Sequence, residues 1–254
     1  MLAPDTLPIP VSIPRPPRPL LHAAREAIAD YSMIHPGDRV LLGLSGGKDS
    51  LSLLHVLRHL RDKSPVRFEL GAATVDPGIE GFDPSFLKEY VPALGVRYFY
   101  RRHDIVGRAL KTMRGNSFCA YCSRMRRGIL YDTARKQGFN VLALAHHLDD
   151  LAESFLMSAF FGGRLHTMKA HYVNDAKDLR VIRPFIYVRE RQTADFARRG
   201  NLPAIMDNCP ACFRMPSQRM QIKSLLAQQE KTNKTIFSSL LTTIRPLIVD
   251  KIPY

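Results

Sequence analysis

Long apolar runs are missing from the chain. No stretch of its 254 residues approaches the roughly 20 apolar residues that a membrane-spanning helix needs, and the first residues lack the basic and then apolar layout of a signal peptide. We therefore expect a cytoplasmic protein with no membrane partner. Cysteine is also scarce, with only four residues, and the hydrophobic fraction is an ordinary 45%. These values exclude a disulfide-stabilised scaffold and a wholly disordered chain.

Acidic residues are few relative to basic ones. The chain has 23 aspartates and glutamates against 37 lysines and arginines, which gives a formal net charge of +14. On an enzyme-sized chain this excess indicates a polyanionic partner, with nucleic acid first. A generally basic surface that keeps the protein soluble is the alternative.

Proline is concentrated at the amino terminus. Residues 1–19 hold seven prolines, which lack a backbone donor and favour an extended, polyproline-like conformation. We expect residues 1–19 to form an extended arm outside the core. A terminus without a role is the simpler interpretation of this arm, and a contact of Arg15 and Arg18 with RNA or a partner chain is the alternative.

Beyond the arm, predicted helices alternate with predicted strands. Buried strands are expected at residues 39–44, at residues 96–100, at residues 140–145 and in a segment that ends at Asp76. This alternation predicts an α/β fold, a doubly wound parallel sheet with flanking helices. We expect that domain to span residues 20–200, and a small helical C-terminal extension to span residues 201–254.

A glycine-rich hexapeptide follows the first predicted strand, with the sequence Ser45-Gly46-Gly47-Lys48-Asp49-Ser50. Its two glycines let the backbone approach an anion, and the free amides and dipole of the following helix face that anion. The loop is not a Walker A motif, because Lys48 is followed by Asp49 instead of serine or threonine. A nucleotide site is predicted, and simple γ-phosphate hydrolysis is disfavoured.

The hexapeptide resembles the PP-loop of the ATP pyrophosphatases. In that family ATP is cleaved between its α and β phosphates, and a substrate oxygen is adenylated. The resemblance implies ATP as cofactor, with Mg²⁺ bridging phosphate oxygens. It also implies that the pyrophosphate is held by Lys48, by the amides of Gly46, Gly47 and Asp49, and by the hydroxyls of Ser45 and Ser50.

Asp76 is a further candidate at the carboxyl end of the next predicted strand. Sheets of this type bind ligands in the crevice beside that edge, so Asp76 is placed to contact the adenosine or a metal. An aspartate that only begins the turn Asp76-Pro77-Gly78 is equally compatible with the sequence.

A second polar segment, residues 146–150 with the sequence His-His-Leu-Asp-Asp, follows the predicted strand at residues 140–145. A carboxylate here can orient Mg²⁺ or the attacking group, and His146 can hold phosphate or move a proton. Asp149 and Asp150 are alternatively helix caps. The segment resembles a motif shared by tRNA lysidine synthetases and tRNA thiolases, which implies adenylation of tRNA.

The four cysteines form two pairs of identical spacing, Cys119 with Cys122 and Cys209 with Cys212. Each CxxC spacing lets two thiolates converge on one metal. A zinc knuckle, an iron-sulfur cluster and a catalytic dithiol all accept this spacing, and the spacing alone favours structural zinc.

The surrounding sequence is similar to the tRNA 2-thiocytidine biosynthesis family over about residues 20 to 230. The similarity lies in the segments 27–31, 119–131, 161–163, 181–184, 209–212 and 218–219. It implies a [4Fe-4S] cluster held by three cysteines, which are Cys119, Cys122 and one of the later pair, with Cys212 preferred and Cys209 as the alternate.

The same resemblance implies a tRNA-modifying sulfurtransferase. ATP would adenylate the C2 oxygen of an anticodon-loop cytidine with the help of Lys48, Asp49 and Asp150, and sulfur carried by the cluster would displace AMP. Asp76 and His146 would contribute to nucleotide binding. The implied partners are tRNA, a sulfur donor system such as a cysteine desulfurase, and a second copy of the chain.

Two alternatives remain open from the sequence. One is a PP-loop enzyme with a structural zinc site that ligates an amine to tRNA or thiolates uridine. The other is a non-catalytic iron-sulfur protein that binds nucleotide and RNA. In each case RNA is expected to contact Tyr98, Tyr100, Tyr121 and the basic residues Arg97, Arg101, Arg102, Arg108, Lys111, Arg114, Arg124, Arg126, Arg127, Arg135 and Lys136.

Overall fold

The computed structural model describes residues 13–79, 81–112, 118–205 and 218–249. Its strands are β1 (Arg39–Gly43), β2 (Glu69–Asp76), β3 (Arg97–Arg102), β4 (Val141–Ala143), β5 (His171–Val173) and β6 (Arg180–Ile182). Its helices are α1 (Arg18–Asp30), α2 (Lys48–Lys63), α3 (Leu87–Ala93), α4 (Ile105–Thr112), α5 (Phe118–Gln137), α6 (Leu148–Gly162), α7 (Glu190–Arg199), α8 (Gln218–Thr232) and α9 (Ile236–Ile248). Within these ranges no helix has the length and apolar character needed to cross a membrane.

The described strands form one sheet in the order β3-β2-β1-β4-β6-β5. Neighbouring strands are parallel, except that β5 runs antiparallel to β6 at the edge. After β1 the chain moves outward through β2 and β3, and it then returns to place β4 on the other side of β1. The strand order therefore reverses between β1 and β4, which is where open α/β sheets bind ligands.

Apolar side chains cover both faces of the sheet, as a parallel sheet requires. On one face Leu42 of β1 packs in a large cluster with Leu54 of α2. On the other face Leu41 packs in a second cluster with Ala134 of α5 and Val181 of β6. The predicted doubly wound sheet with flanking helices is confirmed.

The β5–β6 hairpin is a strand pair that the sequence analysis did not predict. Each strand has only three residues, too few for a two-residue period to stand out from the surrounding loop. Its inner strand, β6, pairs with β4 over Val141–Ala143 and so forms part of the core sheet.

The described part of the C-terminal extension forms two helices, α8 and α9. α8 ends at Thr232, and the side-chain oxygen of Asn233 accepts hydrogen bonds from the backbone amide and the hydroxyl of Thr235, at 3.1 Å and 2.8 Å. This local turn competes with continuation of the helix. Both helices pack on α6.

The large cluster predicts the effect of deleting core volume. Leu42 is 0% exposed, so Leu42→Ala should lower the free energy of unfolding by about 2–5 kcal/mol because it removes apolar burial and leaves a cavity. Leu110, which is 66% exposed, provides the matched control, and Leu110→Ala should change stability by no more than about 0.5 kcal/mol. Urea unfolding followed by circular dichroism measures both values, and equal losses would contradict the assignment of the core.

Candidate functional site

Two polar loops meet at the carboxyl ends of β1 and β4. The first leaves β1 after Gly43 and enters α2 at Lys48, and the second leaves β4 after Ala143 and enters α6 at Leu148. Because the two strands are adjacent and parallel, their loops lie side by side. The ring of His147 on the second loop places Nε2 3.9 Å from Oδ2 of Asp49 on the first.

The phosphate loop has a backbone that requires glycine. Gly46 has a φ of +88°, and a Cβ atom there would lie 2.4 Å from Cδ1 of Ile205. The amide of Ile205 also donates to the carbonyl of Gly46 at 2.9 Å. The N-cap residue Gly47 has no side chain to cover the first-turn amides of α2, so these amides suit an incoming anion.

The two serines of the hexapeptide brace this loop internally. The hydroxyl oxygen of Ser45 accepts from the amide of Gly47 at 3.2 Å and lies 3.0 Å from the hydroxyl of Ser50. The Ser50 hydroxyl in turn donates to the carbonyl of Gly47 at 3.0 Å. The hydroxyls therefore shape the loop in this structure.

Lys48 points its ammonium group between two carboxylates. Its Nζ lies 3.0 Å from Oδ2 of Asp49 and 3.0 Å from Oε1 of Glu190, at the start of α7. Burial lowers the pKa of Lys48, but these carboxylates outweigh burial and hold the pKa above its ordinary value. The hydroxyl of Thr193 donates to Oδ1 of Asp49 at 2.5 Å. A charged lysine is thus fixed beside the anion-binding amides.

The start of α6 uses one of the two aspartates as a cap. The side chain of His147 accepts from the amide of Asp150, and Oδ2 of Asp150 accepts from the amide of His147 at 2.9 Å. Asp149 instead accepts hydrogen bonds from the guanidinium of Arg189 at 3.0 Å and from the backbone amide of Glu190 at 2.8 Å. Asp149 therefore fastens α7 to α6.

His146 is a neutral group in this environment. Burial, followed by the positive charges of Arg183, Arg219 and Arg127, holds its pKa well below the ordinary value. Nε of Arg183 donates to Nδ1 of His146 at 3.2 Å, so the remaining ring nitrogen, Nε2, carries the proton. His146 can donate a hydrogen bond but does not supply positive charge at neutral pH.

Asp76 lies buried at the end of β2. One carboxylate oxygen accepts from the amide of Gly78 at 2.8 Å, which forms the predicted turn, and the other accepts from the hydroxyl of Tyr100 at 2.5 Å. Burial and then this carboxylate raise the pKa of Tyr100 to about 12. In this structure Asp76 is a turn residue that also binds a tyrosine.

The first cysteine pair lies at the start of α5. α5 begins at Phe118 and carries the chain back to the amino end of β4, so its first turn lies toward the carboxyl edge of the sheet. Positions 119 and 122 are one turn apart on that helix. The half-buried Cys122 packs with Tyr121 and Met125 against the second apolar cluster.

The remaining cysteines fall beyond the described ranges. Cys209 and Cys212 lie in residues 206–217, and the side chain of Cys119 is also outside the described part. Among the side chains that the structure does describe, no group of three or more His, Cys, Asp or Glu residues is arranged to hold a metal ion.

Several residues predicted to contact RNA have partners within the protein. Arg135 donates two hydrogen bonds to Asp178, at 2.5 Å and 3.1 Å. Tyr98 packs against the large apolar cluster, and the ammonium of Lys88 lies over the ring of Tyr100 at 4.7 Å from its centroid. These side chains have structural contacts that the sequence did not reveal.

The residues that surround the motif side chains were not predicted from the sequence. Glu190 and Thr193 come from α7, and Arg189 is the N-cap residue of that helix. Lys223 and Glu230 come from α8. Positions 219, 223 and 230 share one face of that helix. This spacing of charged residues was the sequence feature that could have indicated a polar contact surface.

The chain is similar to known proteins over most of its length. The PP-loop domain family matches residues 21–229. A tRNA-cytidine(32) 2-sulfurtransferase of Geobacter sulfurreducens is 40% identical over 226 residues, which cover 88% of this chain and 87% of that protein. One of Syntrophotalea carbinolica is 40% identical over 217 residues, which cover 85% and 84%.

A solved structure supports the fold. The U34-tRNA thiolase NcsA from Methanococcus maripaludis with its [4Fe-4S] cluster superposes with a TM-score of 0.73 at 23% sequence identity. The match covers 91% of this chain and 79% of the thiolase.

The left-handed backbone at Gly46 predicts the cost of a side chain there. Gly46→Ala should lower the free energy of unfolding by at least about 1–2 kcal/mol, because alanine is strained at this φ and its Cβ meets Ile205. In an Ile205→Ala background the cost should be smaller but still present, because only the steric overlap is relieved. Urea unfolding of the wild type, the two single variants and the double variant measures the backbone strain and the steric overlap separately.

The matched control for Gly46 is Gly128, a helical glycine where an added Cβ atom would have no neighbour within 4 Å. Gly128→Ala should raise the free energy of unfolding by about 0.5–1 kcal/mol, because alanine loses less backbone entropy. If Gly46→Ala behaved like Gly128→Ala, the described loop geometry would be wrong.

Glu190 predicts a pH dependence of stability. Burial raises its pKa, but hydrogen bonds from Lys223 and Lys48 outweigh burial and hold the pKa at about 2, below the ordinary 4.5. A lowered carboxyl pKa stabilises the fold above the unfolded-state pKa, and this contribution disappears as pH falls toward the folded-state pKa. The stability difference between wild type and Glu190→Gln should be constant above about pH 5 and shrink between pH 4.5 and 2. Urea unfolding at several pH values measures it, and a pH-independent difference would contradict this assignment.

Proposed function

The chain belongs to the PP-loop domain family and to its tRNA-cytidine(32) 2-sulfurtransferases, and on that premise we propose that it is an ATP-dependent tRNA sulfurtransferase. It adenylates the C2 oxygen of an anticodon-loop cytidine and replaces that oxygen by sulfur. The observation that carries the proposal is the 3.9 Å distance between Nε2 of His147 and Oδ2 of Asp49. It shows that the phosphate loop and the second motif lie in one site.

In the adenylation step the phosphate loop holds ATP. The first-turn amides of α2 and the ammonium of Lys48 are assigned to the phosphates of ATP. The hydroxyls of Ser45 and Ser50, which hold the loop together, are assigned to the same site. The C2 oxygen of cytidine forms a bond to the α-phosphorus while the bond to the pyrophosphate oxygen breaks, and pyrophosphate leaves with the electron pair. Lys48 stabilises the charge that develops on that leaving group.

Asp49 and Asp150 act beside the phosphates. Asp49 keeps the Lys48 ammonium in place through its 3.0 Å contact. Asp150 would be a ligand of Mg²⁺, which would supply positive charge to the phosphates. His146 donates from Nε2 to the nucleotide, because Arg183 already occupies Nδ1. Asp76 is assigned to the adenosine side of the site, at the end of β2.

The chemistry of the cysteines and the helical position of the first pair support an iron-sulfur cluster. The first pair lies one turn apart at the start of α5, a helix with no acidic residue in its first turn. The dipole of α5 and the following Arg124, Arg126 and Arg127 favour thiolates there. We assign Cys119, Cys122 and Cys212 as ligands, with Cys209 as the alternate. When bound, a [4Fe-4S] cluster with three protein ligands supplies an open coordination position for sulfur.

The proposal includes partners and a location. Transfer RNA is the substrate, a sulfur donor system such as a cysteine desulfurase supplies the sulfur, and a second copy of the chain completes a homodimer. The net charge of +14 suits an RNA substrate. The location that we propose is the cytoplasm, which suits a tRNA substrate.

Cys122→Ala tests the separation of the two activities. The variant should lose at least about 90% of thiolation, because a cluster ligand is removed, and should keep ATP binding, because the phosphate loop is unchanged. Anaerobic protein is assayed with tRNA for pyrophosphate release, for 2-thiocytidine by mass spectrometry, and for metal content. Wild type should hold about four irons and four acid-labile sulfides per chain.

Asp132→Ala is the matched control, because Asp132 lies on the same helix and pairs with Lys136 at 2.9 Å on the exposed surface. It should retain cluster, adenylation and thiolation. Zinc without sulfide in the wild-type protein would overturn the cluster assignment and favour adenylation followed by amine transfer. Loss of ATP binding in Cys122→Ala would show that the cysteines only stabilise the fold.

A further inference from the structure

One face of α8 contacts α6 and the start of α7, beside the candidate site. Arg219 contacts Asp150 and Glu153 on α6. One turn later, Nζ of Lys223 lies 2.6 Å from Oε2 of Glu190, the carboxylate that also holds Lys48. Two turns beyond Lys223, the carboxylate of Glu230 accepts a hydrogen bond from Arg189, which also binds Asp149. Ion pairs therefore hold α8 against α6 and the start of α7.

Arg219 occupies a position that only a forked cation suits. Its Nε donates to Oε2 of Glu153 at 2.7 Å, and its Nη2 donates to Oδ1 of Asp150. These carboxylates lie three residues apart on one face of α6, where two negative charges repel each other. Glu153 is only 3% exposed, so its charge needs a partner inside the protein. A guanidinium satisfies both carboxylates at once.

Asp150 is held from two sides. Its Oδ2 accepts from the backbone amide of His147 at 2.9 Å, which the capping box fixes, and its Oδ1 accepts from Arg219. A carboxylate with both oxygens engaged has a defined rotation. Of these two contacts, removal of Arg219 leaves the cap contact, and the side chain of Asp150 can then rotate about its Cβ–Cγ bond.

The chain on either side of residues 206–217 is held at the nucleotide site. Ile205, at the end of one described range, contacts Gly46 of the phosphate loop. The next described range begins at Gln218, beside Arg219. The described chain therefore leaves the nucleotide site at the phosphate loop and re-enters it at Asp150, with the second cysteine pair between these points in sequence.

We propose that Arg219 is a positioning residue for adenylation, which acts by fixing the carboxylate of Asp150 and holding α8 against the nucleotide site. This inference rests on the proposed function, because it assigns a step to Asp150. Arg219 itself touches neither nucleotide nor substrate in this assignment. Its effect on the reaction is transmitted through Asp150 and Glu153.

Arg219→Ala tests the proposal in the full-length anaerobic holoenzyme. The kcat of tRNA-dependent pyrophosphate release should fall about tenfold to a hundredfold, while the KM for ATP changes less than about threefold, because orientation of Asp150 is lost and the phosphate loop is intact. Arg219→Lys should recover part of the kcat, since a lysine ammonium pairs with one carboxylate at a time.

Lys231→Ala is the matched control, because it removes one exposed positive charge from the same helix. It should leave kcat and KM at wild-type values and so exclude a general effect of charge on tRNA affinity. A kcat for Arg219→Ala equal to that of Lys231→Ala would overturn the proposal. A common fall in kcat, ATP binding and helical circular dichroism, without rescue by lysine, would also overturn it in favour of a purely structural role.

Amide hydrogen exchange separates this inference from the proposed function. The amide of His147 should exchange faster in Arg219→Ala than in Lys231→Ala, because its acceptor, Asp150, is no longer held from the other side. Wild-type enzyme that releases no pyrophosphate with tRNA would refute the proposed function, and the exchange at His147 would still decide the positioning role. Unchanged exchange would overturn it.

Discussion

The parallel pairing of β1 with β4 is the contact on which the candidate site depends. Leu42 lies opposite Ala143 at the last paired positions, and the loops that follow therefore leave the sheet at the same edge. Gly46 turns the first of these loops into α2, and the second loop ends at the capped start of α6. A shift in the β1–β4 register would separate Asp49 from His147, and the site would not form even with the same loop residues.

Paired charge is the second constraint. Lys48 lies between Asp49 and Glu190, Arg189 lies between Asp149 and Glu230, and Arg219 lies between Asp150 and Glu153, so each cation serves two carboxylates. Partly buried ions need such partners, because desolvation otherwise costs several kcal/mol per charge. Glu190 pairs with both Lys48 and Lys223, so continuous ion pairs join the start of α2 to α7 and α8.

The parts that were predictable from the sequence are local. The hexapeptide at residues 45–50 carries its own conformational requirements in two glycines, and the strands around it are continuous apolar runs, so the α/β fold and the nucleotide loop followed from residue order. The β5–β6 hairpin and the break at Asn233 were not predicted, because three-residue strands have no readable period and a side-chain turn outweighs helix propensity only in its own context.

The sequence by itself determined the chemical groups of this protein: a loop for phosphate, two acidic residues after a strand, and two cysteine pairs. It also determined the family, because those groups occur in one order along the chain. Only the tertiary structure decided which cation faces which carboxylate. Glu190 reaches Lys48 across 142 residues of chain, and Arg219 reaches Asp150 across 69. Such pairs depend on the packing of α7 and α8 against the sheet, which no local pattern encodes.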